Sequence, residues 1–595
     1  MEKKGLAIFD GIVCGKALVY NPYMPEDAVF QAEGNKEGPR EGLGAYLLAL
    51  DSARAELDGI IGAVAASEPE KAEIFQAHKL LAEDIAIGQQ IRELIMGGKP
   101  VTQAVAAAYG MYIDLLSQSE NAFSIERAAD LADVRNRVLR CLEGKPEKNL
   151  SLLPEPCVVL ARELLPSDIA TIDRKNVRAI ATELGGATSH MAILAKSYGI
   201  PTIICVEGLL SCAADGDDVI VDGAAGIVVL SPDASQMDGY RQRQEADLRQ
   251  RQAARMYRDA RAVTLDGAYI AIELNISSAG ELCADEIAAS DGVGLMRSEF
   301  LYMRSKDGPP DEETQFLEYK AAVLAFAGKP VVLRTLDIGG DKQLPYLALP
   351  KEENPALGRR ALRLCLEEKE IFRTQLRAAL RASSFGELWL MFPMVGTLED
   401  FRAARRFVRM AMKELDAEGI PYDKDIPLGI MVEVPSIALM ADQVAQEVDF
   451  ASIGTNDLCQ YLMAVDRQNT SVAAYYKSFH PAVFRLVRDV ARQFIRYGKP
   501  LSICGEMGGS PAAAIAFIGL GIRMLSMGAA SMAAVKQAIT GMTMPEAQSI
   551  AATVCALETA GEAGRVLAEK AEALASRPAE EQRFASEEQR FAAKA

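Results

Sequence analysis

Apolar and small residues alternate from residue 1 to about residue 20, punctuated by Gly5, Gly11 and Gly15, a texture that predicts short strands joined by turns. From about Gly34 to Cys141 the pattern changes. Apolar positions recur every three or four residues among Ala, Leu, Glu and Gln, which predicts a bundle of amphipathic helices. Strand-like runs return at Cys157–Leu160, Ala179–Thr182, Pro201–Cys205, Asp218–Asp222 and Gly226–Leu230. Strand-like sequence therefore lies on both sides of the helical block, so the block is expected to be inserted into a compact α/β domain. Gln236 to Arg261 is nearly free of Gly and Pro and dense in Arg, Gln and Glu, which predicts an exposed linker helix and a hinge that permits large motion.

From Val263 to about Met544 a unit of apolar strand, polar residue and helix repeats. The expected strands are Tyr269–Leu274, Gly292–Met296, Val331–Thr335, Leu388–Met394, Gly429–Val434, Phe450–Ile453, Leu501–Cys504 and Met524–Met527. Eight such units in about 280 residues predict a (β/α)8 barrel. The expected architecture is thus α/β multidomain: an α/β domain over residues 1–22 and 146–235, an inserted helical domain over 23–145, a linker helix over 236–262, a barrel over 263–575 and a tail over 576–595. The tail repeats Glu-Glu-Gln-Arg-Phe-Ala at seven-residue spacing, and no chemistry is assigned to it.

Composition narrows the function classes. The 595 residues carry 64 basic and 82 acidic side chains, a formal charge of −18, so nucleic acid and anionic membrane surfaces are disfavoured partners. Residues 21–145 alone carry an excess of eight acidic groups, which reads either as a solvated surface or as an acidic docking face. The ten cysteines are scattered without a C-x-x-C pair, as expected in a reducing compartment, and structural zinc is not expected. The longest apolar run, Ala512 to Ile522, is too short to span a membrane, and no cleavable leader is expected at the N-terminus. A soluble cytoplasmic protein is the expectation.

Functional groups of such barrels gather at the carboxyl ends of the strands. Here the corresponding positions hold Asn275, Arg297 with Glu299, Arg334 with Asp337, Glu433, Asn456 with Asp457, Cys504 with Glu506, and Ser526. Forked guanidiniums suit phosphate and carboxylate, and paired carboxylates suit Mg²⁺, so the ring suits a small, highly charged anion bound through a metal. Taken singly, each residue equally reads as a strand-end salt bridge. In Arg334-Thr-Leu-Asp-Ile-Gly-Gly-Asp-Lys342 the paired glycines allow the backbone to approach an anion. In Gly185-Gly-Ala-Thr-Ser-His190 a glycine turn delivers a histidine to the start of an apolar helix, where backbone N–H groups and the helix dipole favour a phosphoryl group. His190 there reads as a nucleophile toward phosphorus or as a capping residue. Structural roles are expected for the other two histidines, His78 and His480, with His78 alternatively at the edge of the docking face.

These segments, with Gly292-Val-Gly-Leu-Met-Arg-Ser-Glu-Phe-Leu301, Glu353-Asn-Pro-Ala-Leu-Gly358 followed by Arg360, Gly429-Ile-Met-Val-Glu-Val-Pro435, Ser452-Ile-Gly-Thr-Asn-Asp-Leu458, Val465-Asp-Arg467 and Cys504-Gly-Glu506, occur in one order over about residues 5 to 570. In this the sequence resembles the Enzyme I family of the bacterial phosphotransferase system, the phosphoenolpyruvate-protein phosphotransferases. The resemblance implies that His190 is phosphorylated on Nε2. It implies that Arg297, Arg334, Asn456 and Arg467 bind phosphoenolpyruvate, with Asp457 also against the substrate, that Lys342 and Arg360 line the phosphate site, and that Glu433 and Asp457 ligate Mg²⁺. Cys504 would protonate the enolate to give pyruvate.

By the same resemblance the α/β domain is a swivelling phosphohistidine domain, the helical insertion binds the phosphocarrier protein HPr, and the barrel binds substrate and forms a homodimer. Three positions depart from the family pattern: Ala187 stands where Arg or Lys is usual, Leu165 replaces a Thr, and Gln468 replaces a Gly. Two alternatives compete. A dikinase-like enzyme using ATP lacks here the nucleotide domain and any Walker-type loop, and a regulatory protein that has lost catalysis is at odds with the intact charged set.

Overall fold

The computed structural model describes residues 1–9, 11–20, 39–64, 69–117, 122–144, 150, 153–164, 168, 172–185, 195, 198–223, 225–305, 308–339, 344, 346–347, 349, 352–467 and 469–577. The chain divides into two compact units, Met1–Leu248 and Arg249–Ala595.

The first unit is built on one eight-stranded sheet: β1 (Glu2–Lys4), β2 (Leu6–Phe9), β3 (Ile12–Tyr20), β4 (Cys157–Ala161), β5 (Val177–Thr182), β6 (Thr202–Ile204), β7 (Asp218–Asp222) and β8 (Ile227–Leu230). Their order is β1-β8-β7-β3-β4-β5-β6-β2. β3 and β4 pair in parallel from Lys16↔Cys157 to Tyr20↔Ala161, although more than a hundred residues separate them in sequence. Among the described residues that interval holds five helices: α1 (Pro39–Val64), α2 (Pro69–Ala82), α3 (Ile85–Met96), α4 (Val101–Ser117) and α5 (Ala122–Leu142). They close on their own core, which includes Tyr46, Ile91, Val105 and Val138. The expected insertion of a helical bundle into an α/β sheet is therefore what the chain forms. β4 is apolar and buried along its whole length, as a strand covered on both faces must be.

The linker helix, α6 (Ala234–Arg255), is shorter than its expected span, because residues 256–258 already form a turn and Val263 bridges Tyr269. Its Arg, Gln and Glu content gives it no apolar stripe to bury.

The second unit is a closed parallel barrel of β9 (Ala271–Ile276), β10 (Val293–Arg297), β11 (Val331–Arg334), β12 (Leu388–Phe392), β13 (Leu428–Val432), β14 (Phe450–Ile453), β15 (Leu501–Ile503) and β16 (Met524–Met527), with β16 pairing back onto β9. Period-two alternation decides which side chains face where. Leu333, Ile430, Ile453, Ile503 and Leu525 pack into the large core shared with the outer helices. Leu295, Val332, Met391, Met431, Phe450 and Cys504 form a separate, smaller cluster. The helices are punctuated as their sequences require. Thr397 and Asp400 form a reciprocal capping box at the start of Leu398–Glu418, and Gly419 ends that helix at φ 69°. The barrel unit also reaches further than expected: Arg577, assigned to the tail from sequence, pairs with Glu546 at 2.6 Å. No helix among the described residues is long and apolar enough to cross a membrane.

Candidate active site

The strand-end ring expected from the sequence assembles at one end of the barrel. Arg297 and Arg334 are the last residues of β10 and β11 and stand in register, two like charges side by side. That arrangement needs counter-charge. Arg334, 7 % exposed, donates from Nη2 to Glu299 Oε1 at 2.5 Å and lies 3.0 Å from Asp337 Oδ2 through Nη1. Burial opposes its charge, but Glu299, Asp337 and Glu433 outweigh that and raise its pKa. Arg297 makes no ion pair among the described residues, so the cation beside Arg334 remains uncompensated there. Ser298 Oγ donates to the Arg334 carbonyl at 2.8 Å and ties the two strand ends together.

Arg360 N-caps the helix Ala361–Glu367 and is just as buried. Its Nη2 donates to Asp337 Oδ1 at 2.9 Å and to Asp457 Oδ2 at 3.3 Å, and its Nη1 to Tyr461 Oη at 3.3 Å. The Nε atoms of Arg334 and Arg360 are both buried without a hydrogen-bond partner among the described residues. Such unsatisfied donors are expected at an anion site whose ligand is not part of the chain. Gly339 has φ 105°, and a Cβ there would lie 2.6 Å from the Arg359 carbonyl oxygen, so its freedom serves the crossing with Arg359 and Arg360. Lys342 and Gly340 lie outside the described residues.

Glu433 follows β13 directly and is fully buried; its Oε1 accepts from the Met394 N–H at 2.6 Å. Met394 holds φ 53°, a strained backbone of the kind concentrated at functional sites. Burial, then Asp457 and Asp337, push the Glu433 carboxyl up to about 8. Asp457 lies in the first turn of the helix Thr455–Met463 and is reached by Arg467 Nη2 at 3.2 Å. Asn456, beside it, accepts from the Glu506 N–H at Oδ1. Among the described residues no three Asp, Glu, His or Cys side chains group as a metal site. The donor chemistry nonetheless fits a hard divalent cation. Two carboxylates that disfavour each other's charge would be relieved by it, and oxygen donors of this kind leave positions open for substrate.

Cys504 follows β15, and its thiol is buried. Burial pushes its pKa up to about 11, the Ser452 hydroxyl and the two arginines pull it down, and Glu433 adds to the rise. The group is therefore a protonated thiol at neutral pH, able to give a proton but not to act as a standing thiolate. Asn275 Nδ2 donates to the Cys504 carbonyl at 3.2 Å, and Ser526 Oγ donates to Asn275 Oδ1 at 2.5 Å.

The barrel thus brings together Arg297, Arg334, Arg360, Glu433, Asn456, Asp457, Arg467 and Cys504. His190 lies outside the described residues, as do Ala187, Leu165 and Gln468. What is described is the approach to it: β5 ends at Thr182, whose Oγ1 donates to the Leu184 carbonyl at 2.6 Å, and Cys205 Sγ donates to the Gly185 carbonyl at 3.2 Å. His480 caps the helix Pro481–Arg496, the structural role expected of it. His78 is buried between Asp130 and Asp133 at 3.2 and 3.5 Å, so it is a core residue and not an edge of any docking face. Sequence reasoning missed Tyr461, whose position four residues after Asp457 places it on the same helix face, and the inward serines Ser452 and Ser502, marked only by their alternation with buried isoleucines.

Family models match in the order of these parts. "PEP-utilising enzyme, N-terminal" covers residues 4–127, "PEP-utilising enzyme, mobile domain" covers 153–226, and "PEP-utilising enzyme, PEP-binding domain" covers 251–544. The chain is 40% identical to the phosphoenolpyruvate-protein phosphotransferase of Staphylococcus carnosus over 549 residues, 92% of this chain and 95% of that one. It is 41% identical over 567 residues to the Geobacillus stearothermophilus protein of that name, covering 94% and 96%, and 40% identical over 565 residues to that of Listeria monocytogenes, covering 94% and 98%.

The chain belongs to the phosphoenolpyruvate-protein phosphotransferase family. It is a phosphotransferase with phosphoenolpyruvate as donor, and the barrel that carries the arginines is its phosphoenolpyruvate-binding part. The resemblance drawn from the ordered motifs holds over the length of the chain.

Proposed function

We propose that this phosphoenolpyruvate-protein phosphotransferase phosphorylates its own His190 from phosphoenolpyruvate in an Mg²⁺-dependent step, releases pyruvate, and passes the phosphoryl group to the histidine of the carrier HPr in the cytoplasm, the entry step of sugar uptake. The observation that carries the chemical part is the convergence of Arg297, Arg334 and Arg360 with Glu433, Asp457 and Cys504 at one end of the barrel. Arg297, Arg334, Asn456 and Arg467 would bind phosphoenolpyruvate, with Asp457 also against the substrate and Lys342 and Arg360 lining the phosphate site. Glu433 and Asp457 would hold the cation, which when bound neutralises substrate oxygens.

His190 attacks phosphorus in line as the bond to the enol oxygen breaks, and Arg334 and Arg360, already paired and buried, stabilise the charge without reorganising. The enolate then takes the Cys504 proton at carbon. In this reading the acidic helical insertion is the face for HPr, and the active enzyme is a homodimer through its barrel.

The test is incubation of the purified chain and its His190→Ala variant with Mg²⁺ and either phosphoenolpyruvate or ATP, each labelled on the transferable phosphoryl group. Acid-labile, base-stable label from phosphoenolpyruvate alone, mapped to His190 and chased by HPr, is expected. The variant takes no label yet still binds phosphoenolpyruvate. Label from ATP would replace this reading with a dikinase one, and retained label in the variant would move the acceptor elsewhere.

A further inference from the structure

The inner wall of the barrel is polar beneath Cys504. Alternation along β14 and β15 turns Ser452, Ser502 and Cys504 to the side opposite Ile453 and Ile503, which pack among the outer helices. Ser452 and Ser502 are register partners on neighbouring strands, fully and almost fully buried. Ser502 Oγ donates to Ser452 Oγ at 2.7 Å, the Cys504 thiol donates to the Ile453 carbonyl at 3.6 Å, and the Ser452 hydroxyl on the same face favours the thiolate. A hydroxyl has one proton. Because Ser502 spends its own on Ser452, Ser452 keeps its own for the sulfur. The backbone of Cys504 is held independently, by Asn275 on its carbonyl and Ser526 on Asn275. The residue is thus fixed at both its main chain and its thiol.

We propose that Ser452 and Ser502 are a positioning pair for Cys504, aiming its thiol at the enolate carbon and donating to the thiolate that proton transfer leaves behind. The inference rests on the acid role proposed above for Cys504. In the step a C–H bond forms at the enolate methylene, the S–H bond breaks, and its electron pair stays on sulfur. The charge so created is buried. Arg297 and Arg334 favour it and Glu433 opposes it. The serines add a hydrogen bond that strengthens as charge moves onto sulfur, with Ser502 polarising Ser452.

The experiment uses the full chain with Mg²⁺, phosphoenolpyruvate and excess HPr as phosphoryl acceptor, so that the enzyme turns over, comparing Ser452→Ala, Ser502→Ala, the double variant and Cys504→Ala. Ser452→Ala is expected to lower kcat for pyruvate formation about tenfold while leaving KM within about twofold, and to raise the solvent deuterium isotope effect on kcat as proton transfer becomes limiting. Ser502→Ala moves the same quantities less. The double variant is no worse than Ser452→Ala, because Ser502 acts through Ser452.

Wild-type kcat and isotope effect in both single variants, with Cys504→Ala inactive, overturns the proposal and leaves the acid role standing. A fall in kcat with an unchanged isotope effect, or a rise in KM alone, marks a merely structural role and also overturns it. Wild-type pyruvate formation by Cys504→Ala removes the acid role itself, and the positioning pair with it. Should Ser452→Ala fail to melt cooperatively, Ser502→Ala decides by the same criteria.

Discussion

Glu273 is a buried carboxyl that the reaction does not use. It sits on β9 at 1 % exposure, and its Oε2 has no hydrogen-bond partner among the described residues. It fits only because residue 294 is glycine, where a Cβ would fall 2.4 Å from that oxygen. Burial, then Asp291, push its pKa up to about 8, so it is neutral at physiological pH. The contrast with Arg334, buried but paired, shows why one group keeps its charge and the other gives it up. Between the unfolded value of about 4.3 and the folded one, the folded chain binds more protons. Stability from this group is therefore present at low pH, falls as pH rises through that window, and is level above it. Glu273→Gln, which cannot ionise, should nearly match the wild type near pH 5 and exceed it increasingly above that, by on the order of 5 kcal/mol once the pH passes the folded value. Denaturant unfolding at pH 5 and pH 8 measures this, and a gain of equal size at both values would refute it. The segment Ala271–Ile276 shows Glu273 and Asn275 alternating with apolar residues, but an alternating strand is equally a half-exposed one; only closure of the barrel puts the polar face inside.

At the scale of elements, the site depends on how closely two segments pass. The turn after β15 carries Cys504, and the helix Thr455–Met463 carries Asn456, Asp457 and Tyr461. They meet at Gly505, where a Cβ would lie 1.9 Å from Thr455 Oγ1 and 2.6 Å from its backbone nitrogen. A side chain there forces the helix start and the acid apart. Gly505→Ala should lower kcat with phosphoenolpyruvate on the order of a hundredfold, the scale set by a displacement of about 1 Å at reacting groups, while far-UV circular dichroism stays native. Near-wild-type kcat would show that the turn yields without disturbing the site. The same packing explains what the sequence revealed and what it hid. The eight strand units, the inserted bundle and the ring of charged residues were legible because period-two and helical repeats, and the position just past a strand, are local properties. The partners were not. Nothing local in Arg360 indicates that it bridges Asp337 and Asp457, or in Glu299 that it neutralises Arg334, since those pairings join loops and helix starts that only the closed barrel brings together. The overestimate of the linker helix has a local cause: Tyr257 to Arg261 keeps the polar composition of a helix while its backbone turns toward the bridge at Val263.

For the whole molecule, the decisive fact is that the proposed nucleophile and the proposed substrate groups fall in different compact units: His190 within Met1–Leu248, and Arg297, Arg334, Arg360, Glu433, Asp457 and Cys504 within Arg249–Ala595. The second unit contains every strand of its barrel, closed by β16 on β9, and a core drawn from its own residues. The division falls inside α6, a helix whose sequence carries no apolar stripe. A chain beginning at Arg249 should therefore fold alone and bind phosphoenolpyruvate with Mg²⁺, since the ion pairs of Arg334 and Arg360 are all internal to it. It should take no label, because phosphoryl transfer needs an acceptor it lacks. Ligand binding to the folded state raises the melting temperature by mass action, so thermal melts of this fragment with and without phosphoenolpyruvate measure the first property, and the labelling assay measures the second. A phosphoenolpyruvate-dependent shift without label locates recognition in the barrel and acceptance in the other unit. A fragment that melts cooperatively but shows no shift would mean that groups from Met1–Leu248 complete the binding site, and the division of labour drawn from the arginines of the barrel would then be wrong.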